Sequence, residues 1–194
     1  MPNTNIILIG LLAAVVVLVL AVALWRWSRS RALRRQFGPE YDHTVETAGK
    51  RGAAERELLE RRHRVEKLKL RDLNDEEKRD FGARWRRLQV DFVDRPRQAV
   101  EGADKLVTAV MMARGYPEAD FEQRLADASV EHARVAPDYR DARQIAERSR
   151  RGLATTEELR RSLVSYRNLF QALLGIDEVP PVEAVDETRP ELRR

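Results

Sequence analysis

The chain has 194 residues, of which 36 are basic and 32 acidic, and it has no cysteine. The lack of cysteine excludes disulfides, zinc–thiolate sites, cysteine nucleophiles and a lipidated cysteine. The formal charge of +4 points toward nucleic acid only until it is located: five arginines precede the first acidic residue, which leaves 31 basic residues against all 32 acidic ones beyond residue 35. The basicity is a local collar, the remainder is near neutral, and no nucleic-acid partner is expected.

Ile6 to Leu24 is a run of nineteen residues without a charge. At about 1.5 Å per residue it nearly crosses a hydrocarbon core of about 30 Å, where only a helix satisfies such a backbone. Trp25 and Trp27 follow, at the depth where indole rings favour the headgroup layer, and Arg26, Arg29, Arg31, Arg34 and Arg35 complete the interface with the bilayer. A cleaved signal peptide competes with this reading, since Ala21-Val22-Ala23 has the form of a cleavage box. Such peptides carry positive charge before a run of about 7–15 apolar residues, whereas Pro2-Asn3-Thr4-Asn5 is uncharged and the run here is longer. The arginines behind the run predict a cytoplasmic soluble part and an outer N-terminus.

Phe37-Gly38-Pro39-Glu40-Tyr41-Asp42 reads as a break, with Asp42 as a cap for a helical arm from His43 to about Leu70. Ala54, Leu58, Val65 and Leu68 form a short heptad stripe, with Arg61 in the remaining seam position. That stripe suits either homodimerisation of two arms or packing onto the rest of the chain.

A helical-bundle domain is expected over residues 74–175, after a transmembrane helix with its basic collar (1–35) and a loop with its arm (36–73). Asn74 and Glu77 make a capping box ahead of Phe81, Trp85, Leu88 and Phe92, which share one face. Pro96 opens the next helix and Gly115 closes it. A short helix follows from Glu118 to about Ala128, then a less regular stretch to Ala136, and a helix from Pro137 to Arg151. Thr155 and Glu158 box the last helix, which Gly175 ends. Phe81, Trp85, Phe92, Leu106, Val110, Phe121, Tyr139, Leu163, Tyr166 and Phe170 are the expected core. Residues 176–194, with three prolines and no aromatic, are expected to be disordered. The predicted class is therefore all-α: a transmembrane helix, a long helical arm, a small helical bundle and a disordered tail.

Few constellations suggest chemistry. Glu60-Arg61-Arg62-His63 has the Glu-x-x-His spacing of di-iron bundles, but those need two such motifs and two further glutamates. Gly49-Lys50-Arg51-Gly52 has the form of an RNA-clamping loop without the strands that such a loop joins. No catalytic residue, cofactor or metal is expected. Asp127, Glu131, His132 and Tyr139 form the one polar group suited to a small surface pocket.

The runs RRQFGPEYDHTV, RWRRLQVDFVDRPRQAVEGADKLV, RGYPEADFEQRLADASVEH and YRDARQIAERSRRG resemble a group of bacterial proteins, each a single membrane segment followed by a helical domain. The resemblance implies that layout and a bacterial setting, and no activity; the anchor and the charge bias behind it then predict the inner (plasma) membrane. The expected function is a membrane-tethered interaction or scaffolding protein with a protein partner. A membrane-anchored small-ligand sensor and an exported helical domain are the alternatives.

Overall fold

The computed structural model describes residues 2–176, with side chains from residue 10 onward. Among the described residues there are eight helices and no strand: α1 (Pro2–Phe37), α2 (Pro39–Ala48), α3 (Arg51–Glu66), α4 (Asp75–Asp94), α5 (Pro96–Arg114), α6 (Phe121–Glu131), α7 (Ala136–Arg150) and α8 (Thr156–Leu174). The all-α class is as expected. The tail expected to be disordered lies, apart from Ile176, outside the described residues.

The helix starts follow local chemistry. Asn74 Oδ1 accepts from the Glu77 amide at 2.9 Å while the Glu77 carboxylate accepts from the Asn74 amide at 2.9 Å. Thr155 and Glu158 repeat the exchange at α8, at 3.2 and 2.8 Å. Each box satisfies amides that a helix start otherwise leaves without partners. Helix α6 begins at Phe121, later than expected, because Asp120 caps it by accepting from the Gln123 amide at 2.8 Å. It then runs on through residues 129–131, where an irregular stretch was expected.

Helix α5 is the centre of the bundle, packed against α4, α7 and α8. Trp85 lies on Phe170 with ring centroids 4.9 Å apart, and Tyr139 meets Phe121 and Tyr166 edge-on. Of the expected core, Phe92, Phe121 and Leu163 are only half-buried at its margin and the other seven are buried. Small residues let α4 and α5 approach closely: a Cβ on Gly102 would stand 2.5 Å from a Leu88 methyl.

The arm is helical, but it is not continuous, and its apolar stripe is buried. Gly38, at φ 46°, makes a corner directly after α1, and Pro39 rather than Asp42 opens α2 as its first helical residue. Gly49, at φ 65°, ends α2, and α3 packs back against it. Leu33, Phe37, Tyr41 and Leu58 form a second core, joined by Val130 from α6. Ala54, Leu58 and Val65 of the heptad stripe are buried, and Leu68 packs on the bundle core. The stripe is therefore covered by its own chain. Helix α3 stops at Glu66, short of Leu70, and the connection to α4 runs beside the end of α5, where the Arg71 amide donates to the Arg114 carbonyl at 2.9 Å.

This close passage fixes Gly115. It sits at φ 99°, and a Cβ there would lie 2.9 Å from the Lys69 carbonyl oxygen. Gly115→Ala is expected to destabilise the fold by more than about 1 kcal/mol, since both backbone conformation and space oppose it. Trp85→Ala should cost about 3–5 kcal/mol as a core truncation. Denaturant unfolding followed by circular dichroism measures both.

The capping boxes carry a pH dependence. Glu77 is drawn from 4.5 down to about 2, first by Arg71 and then by the Asn74 amide. Glu158 is drawn to about 2 by the Thr155 amide first and then by Arg148. Depressed carboxyl values in the folded state mean that this stability is present above pH 4.5 and is lost as pH falls toward 2. Protection of the amides in the first turns of α4 and α8, measured against their intrinsic exchange rates, should fall across that window, and Glu77→Gln with Glu158→Gln should flatten the response.

Candidate membrane interface

Helix α1 changes character along its length. From Gly10 its apolar side chains are exposed, and it is long and apolar enough to cross a membrane, with a mean hydropathy of 2.2 in its most apolar window. Trp25 and Trp27 remain 61% and 60% exposed. Two residues apart on a helix, they point to roughly opposite sides. Each is covered by an arginine one turn on: the Arg29 guanidinium lies 5.3 Å from the Trp25 ring and that of Arg31 lies 5.1 Å from the Trp27 ring. Such stacking leaves the cation free to meet an anion while its stem shields the indole.

One turn further, the same helix enters the protein. Ser30, Leu33 and Phe37 are buried, at the spacing that keeps residues on one helix face. The Ser30 hydroxyl donates to the Glu55 carboxylate of α3, which also accepts from Tyr41 at 2.9 Å and Arg51 at 3.1 Å. Burial raises the Glu55 carboxyl, and the three donors outweigh it, so the group titrates below the usual carboxylate range.

The expected interface residues divide accordingly. Arg34 serves the fold, with its guanidinium 5.1 Å from the Tyr41 ring and 3.5 Å from Asp42. Arg26 and Arg35 make no ion pair among the described residues and are exposed, like Trp25, Trp27 and Arg31, while Arg29 is half-buried.

Two charged links fasten this root to the bundle. Glu40, 1% exposed, accepts from Arg61 of α3 at 3.0 Å and from Arg140 of α7 at 2.9 and 3.1 Å. Asp127 of α6 accepts from Arg64 of α3 at 2.9 Å and from Gln123 at 2.8 Å. Sequence reading passed over Glu40 because it lay within an apparent break; Pro39 as a helix opener was the available signal.

The polar group expected to line a pocket is placed as follows. Asp127 is taken up by Arg64 and Gln123. Glu131 accepts from Tyr116 at 3.2 Å and Arg114 at 3.4 Å, and His132 Nε2 lies 3.1 Å from Arg114 Nη1. Burial, and then Arg114, lower the His132 value, which favours the neutral ring. Tyr139 is not with them: it is fully buried, its ring packs on Phe121 and Tyr166, and its hydroxyl faces Arg124. Arg114, absent from the sequence reading, organises the cluster and also donates to the Leu173 and Arg71 carbonyls.

Glu60 and His63 do not converge: the His63 ring meets Glu66 at 3.1 Å instead. No group of three or more potential ligands suited to a metal occurs among the described residues. Of Gly49-Lys50-Arg51-Gly52, the first two residues form the turn between α2 and α3 and the last two open α3.

No family model, curated protein or solved structure matches the chain. The likeness to membrane-anchored helical proteins therefore rests on the four sequence runs alone.

Removing the Glu40 carboxylate leaves two guanidinium groups facing each other between α3 and α7. Glu40→Ala is expected to cost on the order of 3 kcal/mol, as for other broken buried ion pairs. Urea unfolding of the full chain in detergent measures the loss, and a change within error of zero would mean that the link contributes nothing.

Proposed function

We propose that this chain is a membrane-tethered interaction or scaffolding protein, carried on a single span with its helical domain on the cytoplasmic face of a bacterial inner membrane. The observation that supports it best is the double use of α1. Its first part is apolar and uncovered, while Ser30, Leu33 and Phe37 are built into the second core. A domain joined in this way stands at a fixed height and tilt over the bilayer, as a platform for partners requires. The exposed indoles of Trp25 and Trp27 suit the headgroup layer, and the arginines around them suit the cytoplasmic side.

The large apolar side chains most exposed beyond α1 are Val90 and Val93, at 72% and 82%, one turn apart on α4. They mark the face on which a protein partner would bury surface. Crosslinking from photoreactive residues at these positions, in intact cells, should trap one protein in stoichiometric yield. Repeated recovery of the chain alone would count against the reading. A reporter fused to the C-terminus should be active only in its cytoplasmic form.

A further inference from the structure

The turn between α2 and α3 lies against the base of the apolar helix. Together they enclose a recess of about 410 Å³ whose cations are Arg26, Arg29, Lys50 and Arg56, with Trp25 as one wall. None of the four makes an ion pair among the described residues; Arg29 only stacks on Trp25. Lys50 and Arg56 are distant from the arginine collar in sequence, and the fold of α2 and α3 brings them to it. The one carboxylate at the rim, Glu55, is already engaged by Ser30, Tyr41 and Arg51. Four like charges around one recess repel unless an anion enters it.

The backbone adds to this field. Helix α3 has no side-chain cap at Lys50, and its positive end opens into the recess through Gly52, where nothing stands within 4 Å of an added Cβ. The height also fits. Trp25 to Arg29 covers about 6 Å of helix axis, close to the roughly 5–7 Å that separate the hydrocarbon edge from the outer limit of the headgroups.

We propose that this recess binds the headgroup phosphate of an anionic phospholipid. The acyl chains would lie along the exposed apolar face of α1 directly below Trp25. The assignment rests on the proposed membrane placement. It differs from simple charge attraction by the collar in requiring Lys50 and Arg56.

The test places the full chain in phosphatidylcholine nanodiscs and titrates phosphatidylglycerol brominated on its acyl chains, reading tryptophan quenching. Wild type should be quenched at low mole fraction. Lys50→Gln with Arg56→Gln should weaken the effect about 25-fold, at about fivefold for each surface cation lost. Exposed cations elsewhere, Arg87→Gln and Lys105→Gln, should leave it unchanged. Equal quenching in wild type and the Lys50/Arg56 variant overturns the site while leaving the anchor intact. Stabilisation by inorganic phosphate without preference for the brominated lipid overturns it in favour of a soluble anion. Failure of wild type to enter the nanodisc, read by flotation, overturns the membrane placement and the site with it.

Discussion

The burial of one face of α1 within its own domain is the constraint on which the rest of the structure depends. Leu33 and Phe37 are nearly inaccessible, and they share a core with Tyr41 and Leu58. A helix already hydrogen-bonded through the apolar segment continues without interruption into that core, so no break in α1 separates the two. The corner at Gly38 comes only after the root is complete. Its positive φ turns the chain back so that α2 and α3 wrap the helix that precedes them.

Charge then fixes how the wrapped root meets the bundle. The acidic ends of the two links, Glu40 and Asp127, are almost fully buried, and their partners Arg61, Arg140 and Arg64 reach in from partly exposed positions. Arginine suits this task because its apolar stem can be covered while its guanidinium forks toward a carboxylate. The high charge content of the chain is thus partly internal. Arg114 acts likewise within the bundle, joining the Arg71 and Leu173 carbonyls to the Glu131 and His132 cluster.

Most of the bundle was legible in the sequence because its signals are local. Capping boxes at Asn74 and Thr155, proline at the first position of α5, and glycine after α5 and α8 each operate within a few residues. The regular spacing of Phe81, Trp85 and Phe170 with their neighbours identified the faces that meet. What stayed hidden depends on distant pairings. Glu40 and Arg140 are a hundred positions apart, and no periodicity links them. The arm's packing stayed hidden because its buried stripe is narrow and surrounded by charge; two of those charges, Arg61 and Arg64, are the ones that reach Glu40 and Asp127. Within the expected interface group, the division between Arg34, committed to Tyr41 and Asp42, and the outward Arg26 and Arg35 required the fold.

The absence of native cysteine makes the central claim directly measurable, because two introduced cysteines carry the only spin labels. With labels at Ser28→Cys in α1 and Lys105→Cys in α5, both at exposed positions, pulsed dipolar spectroscopy in nanodiscs reports the distance from the apolar helix to the bundle. A rooted helix predicts one narrow distance distribution. A broad or multimodal distribution would show that the domain swings freely on its anchor and would contradict the account.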